Sequence, residues 1–284
     1  MRNGLVLFTS DRGITPAALA RAAEERGFDT IYVPEHTHIP VKREAAHPGT
    51  GDETLPDDRY MRTLDPWISL ATAAAVTSTI RLSTAVALPV ESDPITLAKA
   101  IATLDHLSGG RVTIGAGFGW NTDELEDHHV PPAKRRTVLK EYVQAMRALW
   151  TQEEASYDGE FVKFGPSWAY PKPVQAHIPL IIGAGGGPKT FQWIAENADG
   201  WMTTPTQADI SANIEALNKA WADAGRDGAP DIRILIAFKP NPEDLMAWAE
   251  AGATELIWGV PDKSEEEVLG SLDRMAARLG LAPA

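Results

Sequence analysis

The feature that most restricts the fold is an unbroken alternation of short apolar runs with helix-period stretches. Strand-like runs lie at Gly4–Phe8, Thr30–Pro34, Ile80–Val86, Val112–Gly115, Pro179–Ile182, Gly200–Met202, Ile232–Phe238 and Glu255–Trp258. Helical patterns cover Pro16–Arg26, Pro66–Thr77, Pro94–Leu107, Ala133–Trp150, Lys189–Asn197, Gln207–Ala224, Pro242–Ala251 and Ser264–Leu279. The first helix opens with Pro16 after Thr15 and stops before Gly27, the usual start and stop signals. Ile80–Val86 and Ile232–Phe238 are almost continuously apolar, which suits parallel strands covered on both faces. The pattern predicts an α/β fold, and eight strand–helix pairs favour a closed (β/α)8 TIM barrel. An open doubly wound sheet is the alternative. The barrel is expected to be one domain over residues 1–284.

Composition removes several classes of function. The chain has no cysteine, which excludes disulfides, thiolate nucleophiles and cysteine-ligated metal centres. A net charge of −13 with no basic block repels phosphodiesters, so no nucleic-acid partner is expected. No apolar run approaches about 18 residues, and no membrane span is expected. The N-terminus lacks the pattern of a secretory signal, which leaves a cytoplasmic location as the expectation.

Two insertions break the rhythm. Residues 35–62 form a long polar segment after the second strand, the face on which barrel enzymes keep their active sites. Residues 157–174 contain an Asp158-Gly159 step between aromatics and predict a small hairpin. Glu35-His36 opens the first insertion. A histidine there can move a proton near neutral pH, and a carboxylate beside it can bond a ligand or raise the histidine's pKa. A loop histidine bonded to backbone is the plainer alternative. His38 adds a third nearby ligand type, but three ligands within four loop residues form no standard metal site, and no metal is expected.

Glycines mark the later loops. Ser83–Pro89 ends the third strand with small residues that let a flat ring approach the backbone. Gly115-Ala116-Gly117-Phe118-Gly119-Trp120-Asn121 follows the fourth strand and is a poor dinucleotide fingerprint, but a good loop to lay against a ligand. Gly183-Ala184-Gly185-Gly186-Gly187-Pro188-Lys189 joins a strand to a helix. Its N–H groups, the helix N-terminus and Lys189 suit an anion, most simply a cofactor phosphate, although a flexible turn would use some of the same residues. Trp168 and Tyr170, in the polar second insertion, are candidates for a substrate pocket together with Phe118 and Trp120. Trp150, Trp193, Trp221 and Trp248 read as helix packing. His128-His129 reads as solvated, and Lys134-Arg135-Arg136 opens a helix where cations oppose the dipole.

Taken together, VPEHTHIP, STAVALPVESDPITLAKAIATLDHLSGGRVTIGAGFGWN, KRRTVLKEYVQAMRALW and PLIIGAGGGPKTFQWIAENADGW resemble the luciferase-like monooxygenase superfamily, in the branch that uses the deazaflavin coenzyme F420. The resemblance spans nearly the whole chain. It implies a luciferase-like barrel with the cofactor ring at the C-terminal ends of the strands. Glu35 and His36 would be the active-site pair. Ala85-Val86 would be a non-prolyl cis peptide forming a bulge behind the ring. Gly117 and Asn121 would touch the cofactor, and Gly183, Ala184, Gly185, Gly186 and Lys189 would hold its phosphate. A homodimer is implied as well. Deazaflavin-dependent sugar-phosphate dehydrogenases carry a glutamate after the glycine matched by Gly117; here that residue is Phe118, which argues against their substrate and for an apolar wall.

Three functions follow. The first is hydride transfer between F420 and a small, apolar alcohol, carbonyl or activated alkene. The second is an FMN-dependent monooxygenase. The third is a catalytically idle barrel that binds a cofactor without turnover, against which the intact Glu35-His36 pair speaks. Lys42, Arg43, Arg59 and Arg62 are expected to serve the acidic tail of F420.

Overall fold

The computed structural model describes residues 1–205, 209–236, 240–261 and 263–282. In chain order the elements are β1 (Arg2–Leu7), α1 (Pro16–Glu25), β2 (Thr30–Val33), α2 (Pro66–Ala74), β3 (Arg81–Thr84), α3 (Pro94–Ser108), β4 (Val112–Gly117), α4 (Thr122–Asp127) and α5 (Arg135–Thr151). Then come β5 (Ala155–Asp158), β6 (Lys163–Ser167), β7 (Leu180–Gly183), α6 (Pro188–Asn197), β8 (Gly200–Thr203), α7 (Ile210–Asp223), β9 (Asp231–Ile236), α8 (Pro242–Ala251), β10 (Glu255–Val260) and α9 (Glu265–Leu279). Phe238 and Gln207, at the ends of an expected strand and helix, lie outside the described residues.

Eight strands close a parallel barrel in the order β1-β2-β3-β4-β7-β8-β9-β10, and β10 returns to β1 with Arg2 opposite Glu255. Helices of the expected pairs separate the barrel strands, which makes the fold a TIM barrel. Local chemistry starts them cleanly: Asp65 and Asp93 accept the backbone N–H of Ile68 and Thr96 at 2.8 Å, each with proline at the first helical turn. Most apolar burial lies between sheet and helices, while Tyr32, Ile181, Met202 and Ile257 pack separately with Val6, Val86 and Leu235.

Three differences from the sequence reading stand out. The third strand was expected to reach Val86 but ends at Thr84, and the Ala85-Val86 peptide that follows is cis. α4 was not anticipated, because Thr122–Asp127 is one short acidic turn with no apolar period. The helix expected over Pro66–Thr77 stops at Ala74, and Thr77 instead turns its hydroxyl to Ala73 O. The second insertion is a hairpin, β5 against β6.

Candidate active site

The segment after β3 is sewn to both neighbouring strands. Ala85 N donates to Val33 O at 2.9 Å and Glu35 N to Val86 O at 3.0 Å, while Ala87 N donates to Gly115 O at 2.7 Å and Gly117 N to Ala87 O at 2.8 Å. A Cβ on Gly117 would stand 2.7 Å from Val86, and one on Gly183 would stand 2.3 Å from it. The two glycines therefore form a slot for the Val86 side chain, a tighter reason for their identity than backbone freedom.

A cavity of about 290 Å³ opens beside this slot. Ala85 and Val86, the run from Gly183 to Gly186, Met202 and Leu235 line it at the C-terminal ends of the strands, with Pro48 of the long loop over the mouth. The Gly183–Gly186 loop is anchored from below, since Trp201 Nε1 donates to Ala184 O at 2.8 Å. Most of the residues expected to face a cofactor thus meet at one place.

His36 stands at the same end of the barrel with its side chain 7% exposed. Its Nδ1 is 2.9 Å from Glu124 Oε2. The Glu124 carboxylate also accepts Thr37 N at 3.1 Å and Asn121 Nδ2 at 3.3 Å. Rings surround the histidine: Tyr60 at 5.5 Å and Trp120 at 5.8 Å between centroids, with His47 at 4.9 Å from Trp120 and its Nε2 at 2.9 Å from the Tyr60 hydroxyl. Burial, then the nearby His36 and Arg43, holds His47 below the usual histidine range.

Glu35 is buried and turned toward the bulge. Its Oε2 accepts Leu88 N at 2.6 Å. Burial pushes its carboxyl up to about 7; the Leu88 bond opposes this, while Asp65 and Glu124 add to it. Glu35 therefore braces the chain between Ala85 and Leu88 instead of facing the cavity. Glu91, buried in the turn Pro89–Glu91, is pushed up to about 9 by burial and by the charges of Glu124 and Glu35. The charges of these three carboxyl groups act on one another, and none is paired with Lys or Arg among the described residues.

Several expected site residues are elsewhere. Phe118 is buried against Trp193 at 5.2 Å and under the Arg136 guanidinium at 4.3 Å, so it packs α5 and α6 and is no wall of the cavity. Trp168 and Tyr170 are 74% and 56% exposed, and Trp168 borders a different groove with Ile95 and Trp150. Lys189 is exposed and is absent from the cavity lining. Three of the four cations expected at the mouth are engaged locally, Arg43 with Pro40 O, Arg59 with Asp57 and Arg62 with Asp11, and Lys42 is exposed. Sequence reasoning missed His47, Tyr60, Glu91 and Glu124. His47 sits in a loop and Tyr60 in a short 3-10 helix, neither with an apolar period, while Glu124 and Glu91 look like ordinary acidic surface residues in a short helix and a Pro-Val-Glu turn.

The chain matches the luciferase-like monooxygenase family over residues 15–281. It belongs to that family. An uncharacterized protein of Mycobacterium tuberculosis (strain ATCC 25618 / H37Rv) is similar, with 68% identity over 279 residues, 98% of this chain and 99% of the relative. An F420-dependent glucose-6-phosphate dehydrogenase of Nakamurella multipartita is 30% identical over 216 residues, covering 74% of this chain and 58% of that enzyme. A monooxygenase from Streptomyces bottropensis shares the fold with a TM-score of 0.78, at 22% identity and 98% coverage of each chain. As a member of this luciferase-like family, the protein is an oxidoreductase enzyme. No helix among the described residues is long and apolar enough to cross a membrane.

Proposed function

We propose that this enzyme transfers a hydride between coenzyme F420 and a small apolar alcohol, carbonyl or activated alkene, as a single-domain subunit of a cytoplasmic homodimer. The observation that carries the reading is the shared cavity: the Ala85-Val86 bulge and the Gly183–Gly186 loop line one space of about 290 Å³ at the barrel end that also holds His36. The residues fit a flat ring with a phosphate-bearing tail. Gly185 lines the cavity, and a Cβ on it would meet nothing within 4 Å, so the loop leaves room for a ligand. The N-terminus of α6, begun by Pro188, lies at the end of that loop and favours an anion. Asn121 Oδ1 is buried without a partner and is an acceptor for a ligand donor.

When bound, the deazaflavin supplies the hydride chemistry at its carbon 5. The protein does the rest. His36, held at Nδ1 by Glu124, exchanges a proton with substrate at Nε2. Trp120, Tyr60 and His47 exclude water around it. Glu35 is a positioning residue that fixes the bulge through Leu88 N.

Titration with F420 and separately with FMN, followed by tryptophan fluorescence, tests the reading, because Trp201 is bonded to the glycine loop and Trp120 stands beside His36. Preferential F420 binding is expected. Preference for FMN would move the enzyme to the monooxygenase chemistry, to be followed by oxygen consumption, and binding of neither would overturn the cofactor assignment. Sedimentation velocity checks the dimer.

A further inference from the structure

The buried carboxyl of Glu91 has an environment that the hydride-transfer reading does not use. It lies in the turn Pro89–Glu91 with the residue 5% exposed, and neither carboxyl oxygen has a hydrogen-bond partner in range. A buried carboxyl with no donor is costly unless it carries a proton and donates it. The acceptor is Glu124: its helix, α4, ends at His128, which lines the same cleft as Glu91, and the Glu124 charge acts on the Glu91 carboxyl. Glu124 takes its other hydrogen bonds from Thr37 N, Asn121 Nδ2 and His36.

We propose that Glu91 is a positioning residue, a protonated carboxyl that donates its O–H to Glu124 and thereby holds Glu124 in the orientation that fixes His36 Nδ1. The inference rests on the reading of His36 as the proton-exchanging group, but its structural half, the Glu91–Glu124–His36 chain, does not depend on which cofactor binds. Glu91 also borders a cleft of about 370 Å³ with Ser92, Asp93, His128, Tyr142 and Lys163, although both its carboxyl oxygens are buried.

Charge favours the assignment. Burial, then the Glu124 and Glu35 carboxylates, push Glu91 up to about 9; the Thr37 hydroxyl, which bonds His38 and His128, opposes this weakly from outside hydrogen-bond geometry. The groups facing it are Glu35 and His36 after β2, Glu124 and His128 of and after α4, Asp93 before α3, Tyr142 of α5 and Lys163 of β6. Tyr142 is itself raised by burial and by Asp93, and Lys163 pairs with Asp158. An alkaline transition therefore needs a variant to assign it. Above its pKa Glu91 becomes a second anion against Glu124, the hydrogen bond is lost and His36 loses its fixed orientation.

Two variants and a spectroscopic measurement test this. In the protein without cofactor at pH 8, above the value of Glu35 and below that of Glu91, infrared difference spectra should show the C=O stretch of a protonated carboxyl that disappears in Glu91→Gln and titrates away on the alkaline side. Absence of that band, or its persistence in Glu91→Gln, overturns the proposal whatever cofactor the enzyme uses. In turnover, Glu91→Leu removes the donor and should lower kcat by about 10–100-fold with little change in KM, the range seen when the partner behind a ligating histidine is removed. Glu91→Gln keeps an N–H donor and cannot ionise, so it should recover most of that loss and flatten the alkaline fall of kcat. Equal losses in both variants, or an unchanged alkaline limb in Glu91→Gln, would assign Glu91 a merely structural role. If both variants behave as expected but F420 does not bind, the carboxyl chain stands and the cofactor reading falls.

Discussion

The two ends of the barrel bury the same functional groups in opposite ways. At the N-terminal end, Arg233 is 1% exposed and lies between Asp231 at 2.7 Å and Glu255 at 3.7 Å, with Arg2 closing on both carboxylates and Tyr32 OH accepting from Arg233 at 2.9 Å. At the C-terminal end, Glu35, Glu91 and Glu124 are buried near a histidine, and among the described residues none of them pairs with a guanidinium. The titration follows. Burial raises Asp231, but Arg233, Thr254 and Arg2 outweigh it and hold the carboxyl below its usual range. Burial raises Glu35 and Glu91, and their carboxylate neighbours raise them further. A carboxyl with a fixed cation is a permanent charge and a brace. One without a cation is a proton store, available for chemistry near neutral pH.

The sharpest way to separate the two ends is to remove the group each depends on. His36→Ala should cut turnover by about 10²–10⁴ while cofactor affinity stays within a few-fold. Steady-state kinetics beside a binding titration check this, and lost binding with unchanged turnover at saturation would break the contrast. Arg233→Met removes the cation at the opposite end and leaves Asp231 and Glu255 buried with less compensation. Urea unfolding should show a loss of about 3–5 kcal/mol. A near-neutral result would mean that the lower cluster is no brace.

Gly185→Asp places a carboxylate where a phosphate is expected and should weaken F420 by about tenfold or more, about 1.4 kcal/mol per decade. Unchanged affinity would remove the loop from the site. The last contrast concerns stability against pH. Glu35 and Glu91 are raised, from 4.5 to about 7 and about 9, so the folded state holds protons that the unfolded chain has released. Their contribution is complete below the ordinary carboxylate range and is lost as pH rises through those values. Asp231, being lowered, contributes above its ordinary value and loses that contribution as pH falls. Thermal melts from pH 4 to 10 should therefore show an alkaline decline that Glu91→Gln flattens and an acid decline that it leaves alone. A parallel shift of the whole curve would contradict the assignment.

Much of this was legible in the residues. The strand–helix alternation predicted the barrel because each period is written locally, in apolar runs, prolines at helix starts and glycines after their ends. The glycine loops were legible too, although Gly117 and Gly183 turned out to make room for Val86. The aromatics are less legible: the family pattern suggests Phe118 as an apolar wall and the polar insertion suggests Trp168 as a pocket residue, but the fold turns one onto Trp193 and the other to solvent.

By itself, then, the sequence determined the barrel architecture and the end of the barrel at which the glycine loops and His36 stand, since these depend on local propensity and on the order of elements along the chain. The tertiary structure alone decided the environment of the histidine. Glu124 lies 88 residues from His36, and Glu91 joins them from a third segment. Their burial without a cation is a property of packing. No local pattern distinguishes a glutamate that solvent will screen from one that will lose its water and keep its proton.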